Sequence, residues 1–386
     1  MRHFDFLSEA DRQRLFFRPP QPFSATDDLS VLGMALGATL YSPATRPALV
    51  ADLAKRASQG VVSSVICLED SIPDDSVPAA EQNVIAQLRA CADSGAQRPL
   101  MFIRVRSAEQ IPMIVAALGE QAPVLAGFVL PKFTDENGAR YLDAISEASA
   151  ATGHRLLAMP VLEAPAVIFA ESRTEVLLQV RQLLNKHRQH VVAVRIGATD
   201  LCSAFGLRRS RDLTIYDVRV VADVIADVVN ILGRADETGF VVTGAVWEYF
   251  SGTERMFKPQ LREAPFIAHS ERALRAELIA RDLDGLIREV ALDKANGLTG
   301  KTVIHPSHVA AVHALSVVTH EEYCDARDVL DTRAGGGVAS SVYGNKMNES
   351  KPHSAWARRT VLRAAVFGVA NADISFVDLL GAGLHQ

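Results

Sequence analysis

Charged and polar side chains close one short apolar run after another along this chain of 386 residues. ICLED ends in Glu69 and Asp70, MFIRV holds Arg104, and GFVLPK ends in Lys132. LLAMPVLE ends in Glu163, VAVRIGATD ends in Asp200, FVVTGAVWE ends in Trp247 and Glu248, and KTVIHP contains His305. Glu163 and Asp200, if side by side, would offer two hard oxygen ligands. That donor set suits Mg2+, which keeps water and takes one or two carboxylates. Arg104, flanked by Ile103 and Val105, must be paired if buried. It could grip a substrate carboxylate with both arms of its fork, or pair with Glu69 or Asp70. Arg106 shares its side of the strand by alternation, and Arg104 is favoured because its neighbours are more apolar. Lys132 could act as a Schiff-base lysine, or form an ion pair with Glu69 or Asp70. His305 could serve as a base or as a hydrogen-bonded element before Pro306.

Such residues matter only if the chain brings them together. Continuous apolar, β-branched runs read as buried parallel strands. They fit near Val31–Tyr41, 62–70, 100–105, 127–132, 156–163, 191–200, 239–247 and 301–305. Helical patterns lie between, the clearest over Asp217–Leu232, with Val218, Val221, Ile225, Val228 and Leu232 on one stripe and Gly233 at the stop. Ser270–Asn296 reads as one long helix with Ser270 as N-cap and Gly297 after its end. Eight strand–helix repeats predict an α/β fold, a (β/α)8 TIM barrel, whose C-terminal strand ends converge on one mouth. In that arrangement Glu163 and Asp200 lie on adjacent strand tips. Of Glu69 and Asp70, alternation predicts that one faces the mouth and the other pairs elsewhere. A doubly wound open sheet would need a glycine-rich phosphate-binding fingerprint, and none occurs.

Lys plus Arg number 40 and Asp plus Glu 45, a net charge of −5. That balance, with pI near 6.1, predicts no nucleic-acid surface and no polybasic membrane patch. No stretch approaches the ~20 apolar residues of a membrane span, and MRHFDFLSEADRQRLFF lacks the apolar core of a signal peptide. A cytoplasmic protein is expected. Four scattered cysteines, without a C-x-x-C pair, are expected to be reduced and packed. Residues 1–30 read as an N-terminal arm, 31–332 as the catalytic barrel, and 333–386 as a C-terminal helical appendage or lid. Ala334–Ser341 reads as a flexible linker, and the segment beyond it is placed over the mouth or against a neighbouring subunit.

Seven of these pieces resemble, in order, the citrate lyase β-subunit and malyl-coenzyme A lyase family of the pyruvate-enolate aldolases. They are LYSPATRPAL (40–49), CLEDSI (67–72), FIRV (102–105), GFVLPK (127–132), VLEAP (161–165), IGATDL (196–201) and GKTVIHPSHV (300–309). The resemblance implies a Mg2+-dependent carbon–carbon lyase that cleaves or forms a 3-hydroxy acid, or its thioester, through an enolate. It implies Glu163 and Asp200 as metal ligands and Arg104 as the group binding the keto-acid carboxylate. Glu69, Asp70 and Lys132 become catalytic neighbours, and Arg46 and His305 contacts to the rest of the substrate. Glu349, in NKMNES, is a candidate lid acid acting across a subunit boundary, so a homo-oligomer is expected. The partner is a small keto or hydroxy acid. Ala44 stands where the family usually has glycine, and residues 171–190 lengthen the interval between the two metal carboxylates. The alternatives are a Schiff-base aldolase using Lys132 and a catalytically silent barrel acting as a scaffold.

Overall fold

Strands buried on both faces must be covered on both sides, and here they close on themselves. The computed structural model describes residues 1–95, 98–250, 261–331 and 337–384. Its barrel strands are β1 (Ala38–Pro43), β2 (Ser63–Cys67), β3 (Leu100–Arg104) and β4 (Gly127–Leu130). They continue with β5 (Leu157–Leu162), β6 (Val194–Ile196), β7 (Val242–Trp247) and β8 (Lys301–Val303). Every neighbouring pair is parallel, and β8 returns to β1 with Ala38 opposite Lys301, so the sheet has no free edge. The expected α/β TIM barrel is the observed fold.

Helices pack around this cylinder by their apolar stripes. Arg219–Leu232 buries Val221, Val224, Ile225, Val228 and Leu232 against the barrel. Asp135–Thr152 begins with a reciprocal cap between Thr134 and Asn137, and stops at Gly153 with φ +65°. The long helix expected over Ser270–Asn296 is instead two, Arg272–Ala280 and Leu283–Ala295. Asp282, at φ +56°, breaks it, and Ser270 is itself left-handed rather than a cap. The first expected strand also divides: Leu29–Ala35 is helical and the strand starts at Ala38, after Gly37 turns the chain at φ +52°. An unbroken apolar run had hidden two elements.

The tail does not cover the mouth of its own barrel. Its helix, Ser350–Phe367, packs on His320–Asp331 and on Leu29–Ala35. The latter leads into β1, so the tail lies at the N-terminal end of the strands. There Val369–Ala370 pairs antiparallel with Phe16–Arg18, tying the two terminal regions together. Residues 334–336 of the expected linker lie outside the described residues. Val338–Ser340 is not a free linker, since it forms an antiparallel hairpin with Met347–Glu349. Cys67, Cys91 and Cys202 are buried and all four cysteines are free, as expected. Among the described residues, no helix is long and apolar enough to cross a membrane.

Gly127 opens β4 opposite Leu157 of β5. A Cβ there would sit 1.9 Å from the Leu157 carbonyl oxygen, backbone that cannot turn aside. Gly127→Ala should therefore destabilise the barrel by about 3 kcal/mol, read as a lower urea midpoint; an unshifted midpoint would show that β4 and β5 can part to admit a methyl group.

Candidate active site

The C-terminal strand ends gather most of the expected residues at one mouth, around a cavity of about 430 Å³. Glu163, Asp200, Arg104 and Asp70 line it. Glu163 follows the last residue of β5. β6 ends earlier than expected, at Ile196, and Asp200 sits in the first turn of the short helix Ala198–Ser203 that follows.

Arg104 is the hinge of the charge arrangement. One Nη lies 2.8 Å from Glu163 Oε1 and 2.7 Å from Glu69 Oε2, with all three side chains largely buried. Burial works against its charge, but Glu163, Tyr41 and Glu69 outweigh it and raise its pKa. Arg104 is paired internally and also lines the cavity, so an internal ion pair and contact with a bound anion are compatible. Arg106 does something else. Beyond the end of β3, it donates to the carbonyls of Leu68, Glu69 and Ile72, clamping the loop that carries the acidic pair.

Of Glu69 and Asp70, only Asp70 lines the cavity, as alternation predicted for one of the pair, yet Glu69 does not pair elsewhere. β2 ends at Cys67, so the pleat no longer governs them. Both reach the same two cations. Glu69 is buried against Arg104 and Lys132, while exposed Asp70 lies 3.3 Å from Lys132 and 3.7 Å from Arg104. Burial would raise the Asp70 pKa, but the charges of Lys132 and Arg104 lower it overall.

Lys132 occupies a left-handed conformation, φ +48°, rare for a residue with a side chain. That turn aims its backbone N–H at Glu163 Oε1, 3.0 Å away. Its ammonium goes to Glu69 and Asp70. Burial disfavours the charge, yet those two carboxylates raise the pKa above the ordinary lysine value. A Schiff-base nucleophile needs the reverse, a depressed pKa.

Glu163 thus spends Oε1 on Arg104 and Lys132, and turns Oε2 toward Gly197. A Cβ at Gly197 would stand 2.1 Å from that oxygen, so the glycine creates the space it faces. Burial pushes the Glu163 pKa up to about 7, Arg104 opposing and the Asp200 charge adding to it. Two carboxylates lining one open space form a donor set suited to Mg2+, which retains water. No group of three or more His, Cys, Asp or Glu is arranged for a metal among the described residues, so a closed structural zinc site is not what these residues build.

Other expected contacts fall outside the cavity lining. Arg46 is exposed and pairs with Asp52 at 3.1 Å. The His305 ring stacks on Phe250 at 4.8 Å, and its Nδ1 meets Ser307 Oγ at 2.7 Å. Burial lowers its pKa. Glu349 ends the hairpin beside the tail helix, and its backbone N–H donates to His353. Within one chain the structure does not bring it to the mouth. Sequence reasoning overlooked two lining residues, Tyr41 and Arg195. Arg195 sat inside VAVRIG as Arg104 sat inside FIRVR, and the same argument would have found it.

A model of the C–C bond lyase family of the TIM-barrel fold matches residues 30–369, reaching through the tail helix. Among solved structures, a citrate lyase from Burkholderia xenovorans LB400 aligns over 89% of this chain and 96% of its own, with a TM-score of 0.60 and 15% identity. CitE from Mycobacterium tuberculosis, in complex with magnesium, acetoacetate and coenzyme A, aligns over 86% and 99%, with a TM-score of 0.51 and 20% identity. Malate synthase from Haloferax volcanii aligns over 72% of both chains, with a TM-score of 0.50 and 11% identity. At such identities the likeness is one of fold. No curated protein matches by sequence.

The shifted Glu163 carboxyl sets a sign. Folded, it keeps its proton up to about pH 7; its ordinary pKa is 4.5. The native state therefore holds the extra proton between those values, and metal-free stability falls as pH rises through that window, by roughly 1 kcal/mol per pH unit. Urea unfolding in EDTA from pH 4.5 to 7.5 should show this decline, and Glu163→Gln should flatten it. An equal slope in the variant would assign the proton to another group.

Proposed function

Because the chain belongs to the C–C bond lyases of the TIM-barrel fold, we propose that it is a Mg2+-dependent lyase. It would make or break a carbon–carbon bond of a small 3-hydroxy acid, free or as a thioester, by way of an enolate. The observation that carries this reading is the facing of Glu163 and Asp200 onto one cavity, beside Arg104. The CitE complex, with magnesium and acetoacetate together, supports it from a similar fold.

Glu163 and Asp200 would hold the ion, which when bound supplies Lewis-acid polarisation of a keto oxygen. The remaining work belongs to this chain. Arg104 and the Lys132 N–H fix one oxygen of Glu163, leaving the other directed at the space over Gly197. Arg104, which also lines the cavity, presents its guanidinium to a substrate oxygen on which negative charge grows. Glu69 and Asp70 hold Arg104 and Lys132 in place, so the cations need not reorganise as that charge develops. The charge on Lys132 is better explained by this positioning than by covalent catalysis.

Purified protein with Mg2+ should turn over one of a panel of small 2-keto acids, 3-hydroxy acids and their thioesters, and EDTA should stop it. Glu163→Gln and Asp200→Asn should each lower kcat/KM by about 10²–10³-fold and abolish Mg2+ uptake in calorimetry. Turnover that survives EDTA and is trapped by borohydride on Lys132 would replace this reading with the Schiff-base one.

A further inference from the structure

Three lysine or arginine side chains are buried among the described residues: Arg195, Arg209 and Lys301. Lys301 lies 2.9 Å from Glu289 and 2.7 Å from Asp293, and Arg209 pairs with Glu289. Arg195 has no such partner among the described residues. Its Nη groups meet neutral hydroxyls, Thr302 at 2.5 Å and Thr39 at 3.4 Å, and the Met159 sulfur at 3.5 Å. Its guanidinium carbon stands 5.6 Å from the Tyr41 ring, and its Nε has no partner among the described residues. Burial lowers its pKa, Tyr41 opposing and the like charge of Arg104 adding to it.

An arginine does not escape such a position by losing its proton. A buried charge left uncompensated is strongly destabilising, so a counter-ion must reach it. Only 1% of Arg195 is exposed, yet it lines the same cavity as Glu163 and Asp200. In the β5–β6 register it lies opposite Val161, two positions below Glu163, or about 6–7 Å deeper along the strand. Arg104 already has two carboxylates, whereas this fork has none. We infer that Arg195 receives an anionic group of the substrate, a carboxylate or a phosphate, additional to the keto-acid end. The substrate is then a small acid with two anionic groups, one of them seated inside the barrel. Its placement relative to the reacting end rests on the proposed lyase reading, but its detection does not.

The test is calorimetry in EDTA at fixed ionic strength, with succinate and inorganic phosphate as separate probes. Wild-type protein should bind one of them, succinate pointing to a dicarboxylate and phosphate to a phosphorylated acid. Arg195→Met should weaken that binding at least tenfold, while its metal-free melting temperature stays level or rises because the unpaired charge is gone. Should that variant not fold, Arg195→Lys, a point charge without a fork, should weaken binding in the same direction. Arg219→Met, on an exposed helix face, should bind the anion like wild type, and because these titrations hold no metal, loss of metal chemistry and loss of this site remain separable. Failure of both probes with wild type, or equal binding by the Arg195 variants, would overturn the inference.

Discussion

The contact between Arg104 and the carboxylates of Glu163 and Glu69 is the constraint on which the mouth depends. It joins the ends of β2, β3 and β5 with groups whose side chains are 13%, 1% and 7% exposed for Arg104, Glu163 and Glu69. In such surroundings charge interactions are poorly screened, and removing one partner leaves the others buried and uncompensated. The pair Arg219–Asp223, 84% and 46% exposed, is of the kind that contributes little. Much of the mouth follows from the buried contact. Glu163 has one oxygen committed, Arg106 must clamp the loop bearing Glu69, and Lys132 accepts a left-handed backbone to complete the set.

The barrel was legible in the chain because buried parallel strands leave a continuous apolar run, and each run here ends in a polar residue. The pairing of Arg104 with Glu69 was legible too, since a guanidinium between Ile103 and Val105 has to find an acid. Boundaries were less so. Val31–Ala38 carries no polar residue, so the helix over Leu29–Ala35 and the strand from Ala38 look alike until Gly37 turns between them. The bend at Asp282 depends on a left-handed residue that composition does not announce.

Within the site, what alternation could not foresee was where each strand would stop. β2 ends at Cys67 and β6 at Ile196, which frees Glu69, Asp70 and Asp200 from the pleat. Arg46 and Glu349 were reached through family resemblance and His305 from its place at a strand end, and none of the three lines the cavity of a single chain. Tertiary placement decides such residues, and local pattern carries little of it.

The barrel segregates its tasks by end. Charge, open space and polar donors collect where the strands finish, while the hairpin, the tail helix and the paired terminal strands brace where they begin. That brace has a cost in time. Phe16 finds its partner only in Ala370, so on the ribosome it must wait while about 350 further residues are made, roughly 20–70 s at ~5–20 residues per second. Through that interval Phe16, buried in the finished protein, lacks its strand partner, and the nascent chain's exposure to misassembly and to chaperone capture is set by how late its last strand arrives.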